Sequence, residues 1–378
     1  MEITGKWVTD MHKTHCKCTD PVLKYPQKEA DHMNQKAMIA MSGGVDSAVA
    51  AYLMRSAGFD CIGATARFLD KESTDAEDAR AVAQRLDMPF HILDLTAQFR
   101  VDVMEDFVRC YEQGLTPNPC IVCNKRLKFG ALLDAALDLD CQYIVTGHYA
   151  RIQEENGRFL LKKAADAAKD QSYFLYSLTQ QQLSHTRFPL GELTKEQARQ
   201  IAESQGFINA RKRDSQDICF IPDGDYFAFL QQFTGKTYPS GDFLDVNGNK
   251  IGTHNGAVAY TRGQRKGLGL AMGKPVYVAS KDMVRNTVTV CENEALFSTK
   301  LLADTLNFFP FATLQSPIRC YAKARSRMIE QPATVYPEAD GSCTVVFDEP
   351  QRALTNGQAV VFYDGDVVIG GGTIRQIL

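Results

Sequence analysis

The stretch KAMIAMSGGVDSAVAAYLMRSAG (residues 36–58) places a short apolar run before the turn SGGVDS and a helix-forming segment that ends at Gly58. A strand, a loop and a helix in that order leave free N–H groups at the helix start, where the helix dipole favours an anion. Gly43 and Gly44 let the backbone approach such a ligand closely, and Ser42 and Ser47 add hydroxyl donors. The lysine of a GxxxxGK[ST] loop is absent and no GxGxxG occurs. Neither γ-phosphate transfer nor a dinucleotide site is therefore the natural reading. Asp46, facing a polyphosphate, reads as a carboxylate that helps hold Mg²⁺.

Working outward, CIGATARF reads as a second strand, Thr74 to Leu86 as a helix, Pro89 to Leu95 as a strand and Ala97 to Glu112 as an amphipathic helix. Past the loop GLTPNPCIVCN, a helix over Leu127 to Leu137 leads into the buried strand QYIVTG, Gln142 to Gly147. This βαβ order predicts an α/β fold with a mostly parallel sheet covered by helices and a ligand at the strand carboxyl ends. Beyond about Ala210 the texture changes to short, β-branched, turn-punctuated runs such as VYVAS, NTVTV and CTVVFD. These predict a small β-barrel or sandwich in the last third, and Asn247-Gly248 reads as a type I′ hairpin turn.

The 378 residues include 42 Lys plus Arg against 45 Asp plus Glu, a net charge of −3, so any nucleic-acid partner must be held by local basic patches. No stretch approaches the about 18 apolar residues of a membrane-spanning helix, and the polar start MEITGKWVTD lacks a signal-peptide core. The expectation is a cytoplasmic protein with no membrane partner. Eleven cysteines then read as reduced thiols. Cys61, Cys110, Cys141, Cys291, Cys320 and Cys343 sit singly in apolar or strand-like runs and read as packing residues. The polar extension 1–33 reads as a loosely ordered tail, its HKTHCKC (His12, His15, Cys16, Cys18) lacking a second metal half-site nearby.

SGGVDS after an apolar strand resembles the PP-loop of ATP pyrophosphatases, which cleave ATP between the α and β phosphates and activate a carbonyl as an adenylate. The resemblance implies that Ala40, Met41, Ser42, Gly43, Gly44, Val45, Asp46 and Ser47 surround the pyrophosphate, with Ala66 at the adenosine and Gly147 lining the same pocket. Further motifs stand in this order: TPNPCIVCNKRLKFG (Thr116 to Gly130), TGHYAR (Thr146 to Arg151), KDQSYFLYSL (Lys169 to Leu178), DSQDICFIP (Asp214 to Pro222) and TRGQRKGLGL (Thr261 to Leu270). With FDEPQRALTNGQAVVFY and GGGTI near the end, they resemble the MnmA family of tRNA-specific 2-thiouridylases over Ala37 to Leu378. That implies an α/β PP-loop (adenine nucleotide α-hydrolase-like) parallel-sheet domain over 34–222, a small central domain over 223–282 and a C-terminal β-barrel domain over 283–378.

The implied reaction is sulfur insertion at the wobble uridine, position 34, with ATP and Mg²⁺, tRNA bound by its anticodon arm, and a persulfide donor such as a cysteine desulfurase or sulfur relay protein. A cysteine thiolate suits sulfur carriage and disulfide-type exchange. By resemblance Cys219 is the persulfide carrier and Cys123 the second catalytic thiol. One departure from the family stands at Cys120, where many members carry Asp in a base or base-positioning role. Cys120, Cys123 and Cys219 also match the ligand set of a three-cysteine [4Fe-4S] site with an open iron, while a reversible disulfide or Zn²⁺ could use the Cys120/Cys123 pair.

Four basic clusters, KRLK (125–128), RKR (211–213), RGQRK (262–266) and KARSR (323–327), suit phosphate contacts. The resemblance adds Asn118, Pro119 and Cys120 at the target base, His148, Lys169, Asp170 and Gln171 along the anticodon arm, and Arg325, Ser326 and Gln358 on the barrel. Two other readings stand beside it: another PP-loop RNA-modifying ligase, which has no use for the two thiol motifs, and a non-catalytic nucleotide- or iron-sulfur-responsive RNA-binding protein, which has no need of an entire SGGVDS loop.

Overall fold

A computed structural model describes residues 35–70, 74–212 and 217–378. The extension with His12, His15, Cys16 and Cys18 lies outside the described residues, as do Arg213 and Asp214 to Gln216.

The first sheet is built from β1 (Lys36–Ala40), β2 (Asp60–Arg67), β3 (Phe90–Asp94), β4 (Tyr143–Val145) and β7 (Thr186–Arg187), in the order β3-β2-β1-β4-β7. All four pairings are parallel, as the βαβ order predicts. Strand alternation splits β1 between two cores. Ala37 and Ile39 face a layer with α1 (Val45–Ser56), α2 (Asp75–Arg85) and α8 (Lys195–Ser204). Met38 faces the other side, with Leu132, Leu133 and Ala136 of α6 (Leu132–Asp138). Two helical runs are less regular than their sequence periods suggest, and the second is also longer. The first is α3 (Thr96–Phe99), a π-helical stretch (Arg100–Glu105) and α4 (Asp106–Glu112). The second starts at α5 (Pro119–Cys123), passes through a π-helical stretch (Asn124–Ala131) and ends in α6. The predicted Leu127 to Leu137 helix is thus the tail of a run that begins at Pro119, a residue preorganised for a first helical position.

The hairpin β5 (Arg151–Glu155) and β6 (Arg158–Lys162) leaves this layer and joins the barrel sheet where Val367 pairs with Lys162. Between them in the chain and the barrel come α7 (Gln180–Ser184), α9 (Tyr226–Thr234) and a four-stranded sheet in the order β10-β11-β8-β9. Its strands are β8 (Gly241–Leu244), β9 (Lys250–His254), β10 (Tyr277–Asp282) and β11 (Thr287–Cys291). The β8–β9 hairpin forms as expected, but its turn differs. Among positive-φ residues there, Gly248 (φ 86°) appears and Asn247 does not, so a type I′ turn is ruled out. The Asp245 carboxylate accepts from the N–H groups of Asn247 (2.9 Å) and Asn249 (2.8 Å), which holds a type I turn followed by a left-handed glycine.

The final strands β12 (Phe297–Phe308), β13 (Ile318–Lys323), β14 (Gln331–Pro337), β15 (Cys343–Arg352), β16 (Ala359–Asp364) and β17 (Val367–Ile377) close into a barrel, because β12 pairs with both β15 and β17. GGGTI lies in β17, where a Cβ at Gly371 would stand 2.6 Å from the Val360 carbonyl oxygen and 2.7 Å from the Tyr176 ring. Glycine there lets the barrel wall lie directly on the α/β domain. The joint is apolar and shared: Tyr173, Leu175 and Tyr176 occupy one core with Ala359, Val361 and Val368, and the Tyr173 hydroxyl donates to the Ala359 carbonyl at 2.9 Å. Tyr173→Ala is expected to cost about 3–5 kcal/mol by emptying a large buried volume. Tyr173→Phe should cost about 1–3 kcal/mol by leaving the carbonyl unpaired. Urea denaturation of the two variants checks that order.

Candidate active site

The PP-loop sits at the carboxyl edge of the first sheet, where three adjacent strands converge. Met41 donates to the Ala64 carbonyl (2.8 Å) and its own carbonyl accepts from the Thr65 hydroxyl (2.7 Å), tying the end of β1 to β2. Gly43 has φ 70°, and a Cβ on it would stand 2.3 Å from the Asp75 carbonyl oxygen. Its carbonyl accepts from the Asn209 amide (3.0 Å) and lies 3.4 Å from the Lys212 ammonium. Lys212 also bridges Asp75 and Asp78, both at 2.7 Å, at the start of α2. Ser47 Oγ accepts from the Ser42 N–H and donates to the Gly44 carbonyl, each at 3.1 Å, bracing the turn from within. From the β4 side, a Cβ on Gly147 would stand 2.7 Å from Asp46 C and 2.8 Å from Ser47 N. Ala40 to Ser47, Ala66 at the end of β2, and Gly147 just past β4 thus share one edge.

This loop suits a phosphate chain. Gly44 caps α1 with no side-chain hydrogen bond, so the first-turn N–H groups have no side-chain acceptor from the cap. A Cβ at Gly44 would meet only the Ser42 hydroxyl, at 3.4 Å, so this side of the turn is open to close approach. The donor set also suits a hard cation. Asp46 already carries a stand-in positive charge: Lys195 Nζ lies 2.7 and 2.8 Å from its two oxygens, and the Tyr149 hydroxyl donates to Oδ1 at 2.9 Å.

The sulfur chemistry lies on a second set of segments. Cys120 and Cys123 stand one turn apart on α5, Cys120 exposed and Cys123 buried, while Cys219 is exposed. Phe220 and Ile221 anchor Cys219 in the core that holds Cys123 and Leu127. Stacked and edge-on rings run from Phe68 to Phe99 (5.1 Å) and from Phe99 to Phe220 (5.7 Å), joining the end of β2 to the Cys219 segment. Burial pushes the Cys123 thiol up to about 11, opposed by Lys128 and reinforced by Cys219 and Cys120. Although parts of both residues reach the surface, desolvation by the surrounding protein raises Cys120 and, reinforced by Cys120, Cys219, and Lys128 opposes the rise at both. The three thiols therefore lie within one another's electrostatic reach. Among the described residues all cysteines are free thiols, and no group of three or more His, Cys, Asp or Glu is arranged to hold a metal ion.

The helix carrying the thiols is braced by Gln182, whose amide donates to the Lys125 carbonyl (2.9 Å) and the Phe129 carbonyl (2.7 Å) within the π-helical stretch. Asn124 is buried and donates to the Phe174 carbonyl (3.1 Å). His148 packs against Phe129 and Phe188 with Nδ1 2.7 Å from the Thr146 hydroxyl, and burial followed by the Lys128 charge holds its pKa well below the usual histidine value. It is a neutral ring at physiological pH. Asp170 accepts from the N–H groups of Ala164 and Ser172 and from the Ser172 hydroxyl, and Gln171 exchanges two 2.9 Å bonds with the Tyr149 backbone. Lys169 and Asn118 are half-buried, and Pro119 is buried. On the barrel, Arg325 donates to the Ala353 carbonyl and to the Thr355 hydroxyl (2.9 Å), and Ser326 is half-exposed. Gln358 donates to the Thr116 carbonyl (3.1 Å), carrying the barrel to the loop before Asn118. Sequence reasoning missed Lys195, Tyr149, Asn209, Lys212 and Gln182. Lys212 lies in the RKR cluster and Tyr149 in TGHYAR, neither with a role read for it, whereas Lys195, Asn209 and Gln182 carry no local motif that marks them.

Three family models match in sequence: a tRNA methyl transferase HUP domain over residues 35–223, a tRNA methyl transferase PRC-barrel domain over 227–292 and an aminomethyltransferase β-barrel domain over 298–374. A tRNA-specific 2-thiouridylase MnmA of Clostridioides difficile is 44% identical over 92% of this chain and 99% of its own length. Its namesake in Clostridium perfringens is 46% identical over 91% of this chain and 99% of its own. A solved 4-thiouridine synthetase in complex with RNA and ATP aligns over 53% of this chain and 50% of that chain at 16% identity, with a TM-score of 0.35.

The close contact at Gly147 predicts that Gly147→Ala displaces the PP-loop and weakens ATP binding at least about tenfold, because the methyl meets backbone atoms that cannot step aside. Equilibrium binding of a fluorescent ATP analogue checks it. Iodoacetamide labelling of Cys123 in the free protein, followed by peptide mapping, should climb with pH toward about 11 rather than level off near the about 8.5 of an ordinary thiol.

Proposed function

The chain belongs to the tRNA-specific 2-thiouridylase family, MnmA, and from that premise we propose that it replaces O2 of the wobble uridine, position 34, by sulfur. It is a tRNA 2-thiouridine-forming sulfurtransferase on an ATP-using PP-loop fold. The observation that carries the mechanism is the convergence of an open glycine loop and, through Phe68, Phe99 and Phe220, two thiol segments distant in the chain.

The C2 carbonyl of uridine is a poor electrophile, so O2 must first become a leaving group. In the proposed sequence O2 attacks the α-phosphorus of ATP, the bond to the β-phosphate breaks, and pyrophosphate departs. The α1 N–H groups and the Ser42 hydroxyl receive the charge that develops on that pyrophosphate. Mg²⁺, when bound at Asp46, supplies further neutralisation of that charge. Cys219 carries a terminal sulfur taken from a cysteine desulfurase or a sulfur relay protein. That sulfur bonds to C2 and AMP leaves with O2. The Cys123 thiolate then attacks the Cys219 sulfur, the bond to the transferred sulfur breaks, and the Cys123–Cys219 disulfide that remains returns to thiols with an external reductant. Lys128, the cation opposing the raised thiol pKa values, favours thiolate in both steps.

The persulfide route is supported by an exposed Cys219 whose neighbours Phe220 and Ile221 share a core with Cys123, and no step is derived through a cluster. The methyl transfer in the family-model descriptions is served by neither the thiols nor the pyrophosphate loop. Asn118, Pro119 and Cys120 face the target base in this reading. His148, Lys169, Asp170 and Gln171 shape the anticodon-arm surface, and Arg325, Ser326 and Gln358 that of the barrel. Domain limits at 222 and 282 and a cytoplasmic site of action belong to the same proposal. Among the described residues no helix is long and apolar enough to cross a membrane.

The test is mass spectrometry of tRNA nucleosides after incubation with ATP, Mg²⁺ and a persulfide donor. The parent should form 2-thiouridine, and Cys219→Ser and Cys123→Ser should each lower the yield at least about a hundredfold, as loss of a covalent group does. Cys120→Asp should retain or raise the yield in air. Equal yields from parent and both serine variants would remove the thiol mechanism. Four irons per chain after anaerobic reconstitution, lost in the Cys120/Cys123/Cys219 triple-serine variant, would replace the persulfide route by the cluster.

A further inference from the structure

Lys195 is a buried lysine, and it belongs to none of the motifs that mark the site. It is the first residue of α8 and 7% exposed, and its backbone N–H donates to Asp166 Oδ2 at 3.0 Å. Its approach is set by packing: Leu190, Leu193 and Ala198 share a core with Val45, Ala48 and Tyr149. Gly191 lies so close to β5 that a Cβ on it would stand 2.2 Å from the Ala150 carbonyl oxygen. The ammonium is thereby held at 2.7 and 2.8 Å from the two oxygens of Asp46, with the Tyr149 hydroxyl on the same carboxylate at 2.9 Å.

A carboxylate in the first turn of α1 is favoured by the helix dipole, yet its pairing to a buried lysine is costly to assemble and costlier to break on one side only. We propose that Lys195 is a positioning residue that stands in for the divalent cation: it neutralises Asp46 in the nucleotide-free protein and yields the carboxylate when the metal arrives with ATP. The proposal rests on the reading of this loop as an ATP·Mg²⁺ site. The carboxylate has two oxygens and both meet Lys195, so inner-sphere contact with a metal requires the ammonium to give up at least one of them. Released from Asp46, the ammonium stays at the carboxyl edge of the sheet beside the incoming phosphates. Lys195 therefore competes with the cation and sets the Mg²⁺ concentration at which the loop loads.

The experiment is thermal unfolding of the full-length protein without nucleotide, with and without millimolar MgCl₂ and with NaCl at matched ionic strength. Lys195→Met should lower the midpoint, and Mg²⁺ should recover part of that loss where NaCl does not, because the cation now binds an uncompensated carboxylate. The parent and Lys195→Arg should show no Mg²⁺-specific rise, and Lys195→Met/Asp46→Asn should lose it. In a second measurement, the Mg²⁺ concentration giving half-maximal ATP binding should fall about tenfold in Lys195→Met. Tyr149→Phe, which keeps Lys195 and removes one donor to Asp46, should move it the same way by less and serves if Lys195→Met does not fold. Equal Mg²⁺ responses in the parent, Lys195→Met and Tyr149→Phe, or recovery that persists without Asp46, would overturn the inference. Failure of the parent to bind ATP at any Mg²⁺ concentration would instead overturn the reading of the loop.

Discussion

The arrangement turns on a contact with no room in it, the approach of the β4 end to the PP-loop. At Gly147 a single methyl group would stand 2.7 and 2.8 Å from backbone atoms of Asp46 and Ser47, inside van der Waals contact. This fixes β4 beside β1, where Ala37, Met38 and Ile39 pair with Tyr143, Ile144 and Val145. The chain beyond Gly147 inherits that placement. Tyr149 reaches back to Asp46 through its hydroxyl and forward to Gln171 through its backbone, and two residues on, Tyr173 donates to the barrel at Ala359. The loop, the KDQSYF segment and the barrel are consequently one bonded stack.

The thiol helix is positioned by different means. Its first turn is set by Pro119, but beyond Cys123 the run widens into a π-helical stretch, and Gln182 takes up carbonyls at Lys125 and Phe129. Such widened turns recur at functional sites because they rotate side chains relative to a regular helix. In a regular α-helix Lys128 would stand about 140° around from Cys123. The wider turn, bonding residue i to i+5, brings it back toward the face that carries Cys123. Lys128 accordingly acts on all three thiols and on His148 together.

Much of this was legible in the sequence. The βαβ alternation and the SGGVDS loop predict the parallel sheet and its ligand edge, because strand period and glycine placement are local. The two thiol motifs are equally local, so Cys120, Cys123 and Cys219 are found without the fold. What was not legible depends on register between distant segments. Lys195 sits in LTKEQ, which reads only as a helix start with its capping box. Nothing in that string says that its ammonium meets a carboxylate 149 residues earlier. The Asn247-Gly248 turn failed for a smaller reason. A dipeptide rule cannot see that the Asp245 side chain selects a different turn.

The basic clusters show where sequence charge misleads about function. Many of their members are spent inside the protein. Arg325 donates to the Ala353 carbonyl and the Thr355 hydroxyl, Arg262 donates to the Ala279 carbonyl, and Lys212 bridges Asp75 and Asp78. A cation desolvated against a backbone or a carboxylate releases no counterion from a phosphate chain. Lys125, Arg265, Lys266 and Arg327 differ: each is exposed, and among the described residues none has a carboxylate within ion-pair distance. They lie on the thiol helix, on the loop of the central sheet and at the barrel rim, one group from each layer of the fold. With a net charge of −3 there is no global field to draw RNA in. In the proposed reaction these exposed cations, rather than the clusters as wholes, are the side chains that would meet the phosphates of the anticodon arm.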